Sequence, residues 1–401
     1  MRFQHQVHCF AMNEHFIAIE VGQGDAFVIK RRDNFVALID GGRSKCGFHI
    51  EFQRATNCSA VDVIVCTHND ADHANGIISY LRSGLQCKEV WLPASWTARL
   101  SDLSDPERFT SELVDNIAEF NDDQLSGISS TDAFFENFTC RHTADESDGA
   151  EREVDVKAFT ERTLEEECDD YFELLCPSRF YRHPAPWLFH MLNQHTNRAR
   201  LRLFINAIAA GERIRQIAQL AYHRGCRLRW FEFSSAKSTG GIPGKLIPVN
   251  AREVANVQTK KLSALMYLAL TITNKQSLVF CSPDDGDTPA VLFTADSDLS
   301  FTNVVPWSHE MLVTAPHHGS ETNAEAYRRF QLEIETTPTT WIRSDGSFRL
   351  RPGVSFLSLR GRKVPVFCTL CRGTSHPKQD LFFTASGQKW SPKNTRVCSC
   401  V

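Results

Sequence analysis

The stretch "VIVCTHNDADHANGI", residues 63–77, decides the fold, because a run of buried-strand residues passes directly into histidine, aspartate and asparagine. Val63, Ile64, Val65 and Cys66 form the continuous apolar run of a central strand covered on both faces. His68, Asp70, Asp72 and His73 follow at once. They sit at the carboxyl end of that strand, where open α/β sheets place their ligands. So many metal-competent side chains on one turn point to a metal.

Working outward, the segment from Phe16 to Gly41 alternates short β-rich runs with turn signals at Gly22, Gly24, Asp33, Asn34 and Gly41, the pattern of a hairpin. Beyond the histidine turn, "GIISYLRSG" (76–84) predicts a helix closed by Gly84, and "KEVWLPA" (88–94) another strand. Strand, loop, helix, strand is the α/β rhythm. Between about Ser101 and Arg224 the texture changes to charged helical segments. Strand character returns at "CRLRWFEF" (226–233), "LSALMYLALTIT" (262–273), "SLVFCS" (277–282) and "AVLFTADSD" (290–298), repeating the hairpins of the first half. The organisation read from this is a first half over 1–98, a helical insertion over 99–230, and a second half with a Cys-rich end over 231–401.

"EVGQGDAFVIK" (20–30), "THNDADH" (67–73), "LFTADSD" (292–298) and "APHHGSETNAEAY" (315–327) occur in this order, and together they resemble metallo-β-lactamase-fold hydrolases. The nearest likeness is the nuclease-like domain of competence DNA-uptake proteins. The resemblance covers about residues 16–96 and 245–385 and leaves the insertion unmatched. It implies an α/β protein built as a four-layer αββα sandwich with a large helical insertion, its metals at one edge of two sheets and fed by loops of both halves. It further implies that His68, Asp70, Asp72, His73, Asp296 and His318 hold two divalent ions, with Asp296 bridging. His317 is an alternative ligand or a donor to the leaving oxygen, and Asp72, His317 and His318 are the catalytic candidates.

Chemistry leads the same way. A divalent ion lowers the pKa of bound water to near 7, and a pair of ions clamps the substrate oxygens around the resulting hydroxide. Asp70 stands where many relatives of that family carry histidine, and no clear histidine completes the first site before Asp296. Asn274 is the nearest polar candidate there, with a hairpin-turn role as its alternative. An oxygen-rich site shifts preference from zinc toward manganese or magnesium. Gln23 and Asp25 in the glycine-rich motif are read as braces for the ligands, with a plain hairpin turn as the alternative.

Composition bounds the rest. The 401 residues are 42% hydrophobic and 23% charged, ordinary for a globular chain able to bury a sizeable core. A formal net charge of -4 gives no global pull toward a polyanion, though a local basic patch is compatible with it. With no long apolar run and no leader pattern, the expectation is a cytoplasmic protein without membrane contact. The 14 cysteines, several inside apolar strands such as Cys66 and Cys281, read as reduced buried thiols. Cys368 and Cys371 in a C-x-x-C spacing, with Cys398 and Cys400 at the end and His376 nearby, are either a structural zinc site or unconnected thiols.

The insertion assigns little: His183, His190, His195 and His223 lie on no ligand spacing, and Arg198, Arg200 and Arg202 fan around a helix. The function expected is a metal-dependent hydrolase using a metal-bound hydroxide, a phosphodiesterase or nuclease acting on a phosphodiester or nucleic acid. The alternatives are a non-phosphate ester hydrolase, or a regulatory module whose first metal site is incomplete and whose insertion is a surface for a protein partner.

Overall fold

The computed structural model describes residues 15–120, 134, 135, 138, 152–155, 198–259, 262–272, 274–344, 351–361, 364–370, 378–393, 395, 397 and 398. The chain divides into two compact units, one of Met1–Leu92, Cys226–Glu253 and Asn274–Val401, the other of Pro93–Gly225 and Val254–Thr273. It is a mixed α/β protein with two mixed sheets and helices.

In the first unit, β1 (Phe16–Ala18), β2 (Phe27–Lys30) and β3 (Val36–Ile39) run antiparallel. Helix α1 (Phe48–Thr56) then leads to β4 (Ala60–Val65), and helix α2 (Ala71–Arg82) to β5 (Gln86–Pro93). β4 is parallel to both β3 and β5, so the opening stretch is a central strand as its apolar run requires. α1 escaped the sequence reading, although Phe48, Phe52 and Thr56 recur at helical spacing and are all buried. Phe52 packs edge-on against Tyr80 of α2, ring centroids 5.1 Å apart.

The second unit contains α3 (Pro106–Ala118), β6 (Arg152–Asp155) and α4 (Arg198–His223). The chain returns to the first unit through β7 (Arg227–Phe233), β8 (Ile247–Pro248) and β9 (Ala251–Val254). β10 (Asn256–Thr259), which pairs antiparallel with β6, and α5 (Ala264–Ile272) belong again to the second. α5 corrects a sequence expectation, since "LSALMYLALTIT" reads as a strand by apolar content alone. An uninterrupted apolar run fits a buried helix equally well. What decides it is capping: Ser263 Oγ accepts from Met266 N at 3.2 Å, while Glu112 and Asn116 of α3 accept from Ala264 N and Leu265 N.

The second sheet is completed by β11 (Phe280–Ser282), β12 (Val291–Phe293), β13 (Met311–Thr314), β14 (Thr339–Arg343) and β15 (Val366–Cys368). Between them lie α6 (Ala324–Arg329), α7 (Gln331–Thr336) and α8 (Val354–Gly361). β16 (Leu381–Ser386) and β17 (Lys389–Lys393) return to the edge of the first sheet, beside β1.

The two sheets share one connectivity. β8, β11 and β12 are antiparallel, as are β1 to β3, and β13 joins β12 in parallel as β4 joins β3. Period-two alternation sorts their side chains. Phe280, Phe293, Leu312 and Ile342 join Phe16, Phe27, Val63 and Trp91 in one buried cluster. Cys281, Leu292, Val313 and Trp341 face the other way, packed with Tyr327 and Phe356. Each fully buried aliphatic or phenyl side chain contributes roughly 1.5–3 kcal/mol, so this shared core fixes the two strand sets against each other.

Among the described residues no helix is long and apolar enough to cross a membrane. Cys281 is a free buried thiol, its pKa pushed up to about 12 by burial. Cys58 departs from the all-reduced expectation, being disulfide-bonded.

Candidate metal centre

Equivalent strands of the two sheets deliver the functional groups. Asp40 directly follows β3, and Asp296 lies just beyond β12 after Ala295, with Asp40 and Ala295 both in the left-handed region at φ 57° and 47°. β4 ends in the loop carrying His68, Asp70, Asp72 and His73, and β13 ends in the loop carrying His317 and His318. His317 and His318 are also left-handed, at φ 48° and 53°. That conformation costs a non-glycine residue about 1–2 kcal/mol. It is held by His317 N donating to Ala295 O and His318 N to Ala315 O. Strain of this kind collects at functional sites.

The donor atoms converge on the Asp296 carboxylate. His73 Nε2 lies 3.2 Å and His318 Nε2 3.6 Å from its Oδ1, and the two imidazole nitrogens are 3.2 Å apart. Asp72 Oδ2 is 3.8 Å from His318 Nε2. On the other carboxylate oxygen, His68 Nε2 lies 3.8 Å from Asp296 Oδ2 and 3.8 Å from Asp70 Oδ2. The groups Asp25, His73, Asp296, His318 and His68, Asp70, Asp296 each present ligand atoms within 4.8 Å of one another. All of these residues are buried.

Outer partners fix the tautomers. His73 Nδ1 donates to Asp40 Oδ2 at 2.8 Å, and His318 Nδ1 lies 3.1 Å from Asp25 Oδ1, which also accepts from Ser344 Oγ. Thr67 Oγ1 donates to Asp40 Oδ2 at 2.7 Å, so toward His68 Nδ1, 3.0 Å away, it acts as acceptor. Carboxylates only accept, so all three rings carry their proton on Nδ1 and turn Nε2 toward Asp296. Among the described residues His68 Nε2 and Asp296 Oδ1 are buried with no hydrogen-bond partner. Lone pairs aimed at a buried carboxylate repel unless a cation lies between them. The residues therefore fit a metal ion.

Electrostatics agree. Burial raises the Asp296 carboxyl, but His317, His73 and His318 outweigh it and hold it well below the usual carboxylate range. Burial likewise works against the ionised Asp25, and the His318 ring beside it, with Nδ1 facing the carboxylate, brings the net shift downward. For His73 burial opposes the charged ring, yet Asp296 and Asp40 raise it well above 6.5, so a proton and a metal compete for the same Nε2.

His317 faces a different way. Its Nε2 is 3.5 Å from Asp296 Oδ2 and 2.6 Å from Arg351 Nη2, while its Nδ1 lies 3.2 Å from Asn323 Oδ1. Asn323 in turn donates to Asp296 O and Ser297 O. Gln23 Nε2 donates to Asp72 Oδ2 at 3.3 Å, and Gly24 lets the backbone approach so closely that Asp25 N donates to Asp72 O. A Cβ on Gly24, at φ +101°, would stand 1.6 Å from that oxygen.

Of the residues singled out from sequence, His68, Asp70, Asp72, His73, Asp296, His318, Gln23 and Asp25 come together here. Asn274 is buried at the start of a short 3-10 turn, its carbonyl accepting from Ser277, and Leu278 N donates to Thr67 O beside His68. Cys368 and Cys398 are buried in one apolar cluster, whereas Cys371, Cys400 and His376 lie outside the described residues. So do His183, His190 and His195; His223 lies in α4, its pKa lowered by burial. Asp40, Ser344, Asn323, Arg43 and Arg351 were missed. Only Asp40 carried a local signal, a lone acid between the apolar run Val36–Ile39 and Gly41. No protein-family model and no curated protein matches the chain.

Proposed function

We propose that this chain is a metal-dependent hydrolase of the metallo-β-lactamase-like kind, acting on a phosphodiester. In this reading α1 and α2 cover one sheet and α6 to α8 the other, a four-layer αββα sandwich with the second unit as its insertion. The observation that carries the functional reading is the set of three imidazoles, each with Nδ1 engaged and Nε2 turned to the two oxygens of one buried carboxylate.

His68, Asp70 and one Asp296 oxygen would hold one ion; Asp72, His73, His318 and the other Asp296 oxygen would hold a second. Bound there, divalent ions supply a water acidified to near neutrality and a counter-charge for the phosphoryl oxygens. Asp40, Asp25, Thr67 and Ser344 keep the rings in the productive tautomer. Asp72 and His317, with side chains 14% and 13% exposed, mark the side by which substrate reaches the cluster.

The test is an assay panel on protein purified without chelator: bis-p-nitrophenyl phosphate, single-stranded DNA, RNA, cyclic dinucleotides and a lactone. Phosphodiester turnover that chelation abolishes and manganese restores is the expected result. Turnover of the lactone alone would move the assignment to carboxylic esters. Metal binding without turnover on any of them would leave a binding module.

A further inference from the structure

Two arginines reach the open side of the cluster from different loops. Arg351, half-buried, donates from Nη2 to His317 Nε2 at 2.6 Å. His317 is anchored in turn by Asn323 Oδ1. Arg43, exposed, donates from Nη1 to Gln23 Oε1, and Gln23 holds Asp72 Oδ2 through its amide nitrogen. Among the described residues Arg43 forms no ion pair, so its charge stays available. Arg351 acts electrostatically on both His317 and Asp72, which places its guanidinium at the mouth that those side chains mark.

We propose that Arg351, steadied by His317, and Arg43, steadied by Gln23, form an anion-binding pair that makes the cluster select phosphodiesters over neutral esters. The proposal rests on the hydrolase reading above and adds a substrate class to it. A guanidinium presents paired donors that match phosphate oxygens, and each is steadied here by a neutral group, His317 Nε2 or Gln23 Oε1. His317 is then a positioning residue, because its Nε2 lone pair is taken by Arg351. Arg351 would meet the scissile phosphate, and the exposed Arg43 a neighbouring anionic group.

The test compares wild type with Arg351→Ala, Arg351→Lys and Arg43→Ala, all manganese-loaded and matched for metal content. One readout is the affinity for inorganic phosphate by titration calorimetry; the other is kcat/KM on bis-p-nitrophenyl phosphate relative to p-nitrophenyl acetate. Arg351→Ala should weaken phosphate binding by about 10- to 100-fold. It should also cost the diester at least about ten-fold more than the acetate, with partial recovery in Arg351→Lys. Arg43→Ala, at an exposed site, should weaken phosphate binding by about 2- to 5-fold. Phosphate affinity and selectivity both unmoved in Arg351→Ala and Arg43→Ala would overturn the proposal even if the wild type hydrolyses diesters. Phosphate binding weakened in the variants, with a wild type that hydrolyses nothing, would uphold the anion site and sink the hydrolase reading. Should Arg351→Ala fail to fold, Arg351→Lys and the surface variant Arg43→Ala still decide it.

Discussion

Asp40 Oδ2 lies 2.8 Å from His73 Nδ1, and that contact fixes which ring nitrogen of His73 faces the cluster. The same carboxylate accepts from Thr67 N and Thr67 Oγ1, which in turn sets the tautomer of His68. One buried acid at the end of β3 thus orients two imidazoles on the loop after β4. Asp40→Asn keeps the shape but presents an amide donor or a weaker acceptor to His73. Metal affinity should fall about 10- to 100-fold, as for outer partners of metal histidines generally. Competition with a fluorescent chelator measures it, and an unchanged dissociation constant would remove Asp40 from the account.

Gly24 and Gly22 make a matched pair for backbone effects. Both have positive φ, but a Cβ on Gly22 meets nothing within 4 Å, whereas one on Gly24 meets the Asp72 carbonyl. Gly22→Ala should therefore cost only its backbone strain, about 1–2 kcal/mol. Gly24→Ala should cost about 3 kcal/mol or more and displace Asp72. Denaturant midpoints and turnover of the two variants provide the comparison, and equal losses would contradict it.

Donor chemistry predicts the metal. The His68, Asp70, Asp296 set offers one nitrogen and two carboxylates, and carboxylate-rich sites suit manganese better than imidazole- or thiolate-rich ones do. At equal occupancy manganese should support faster turnover than zinc. A zinc-only activity profile would count against an oxygen-rich first set.

How much of this was legible beforehand follows from sequence distance. His68 to His73 lie on one loop after one apolar run, so strand pattern and ligand spacing are read together. Asp296 and His318 were placed by motif order, which carries no geometry. Arg351 and Arg43 could not be read, because what makes them notable is contact with His317 and Gln23 across loops distant in sequence. α5 was misread for a different reason: besides Ser263, its first turn is capped by Glu112 and Asn116, which are remote in the chain. The alternation of Phe280 and Cys281, or Trp341 and Ile342, between two cores was latent in the strands. It gained meaning only once both faces of the sheet were seen to be covered.

Glu112 gives the second unit a pH dependence independent of any metal. Its carboxylate accepts from Arg99 Nη1 at 2.6 Å and Ala264 N at 2.9 Å, and the Arg99 bond first of all lowers it from its ordinary 4.5. A depressed carboxylate stabilises the fold above its unfolded pKa, and that contribution is lost as pH falls through the folded value. Unfolding monitored by helix signal should show stability declining below pH 4.5. Glu112→Gln should cost about 1–2 kcal/mol at neutral pH, because the carboxylate is a third exposed, and should flatten that decline. An identical acid slope in the variant would assign the decline to other groups.

Asp296 offers one oxygen to each donor set, so it tests the central claim most directly. Metal per chain should be measured by mass spectrometry after manganese reconstitution and gel filtration, for wild type, Asp72→Ala and Asp296→Ala. The account predicts about two ions in the wild type, about one in Asp72→Ala and close to none in Asp296→Ala, with diester turnover lost in both variants. Wild-type protein that retains no metal, or Asp296→Ala that keeps the full complement, would contradict it.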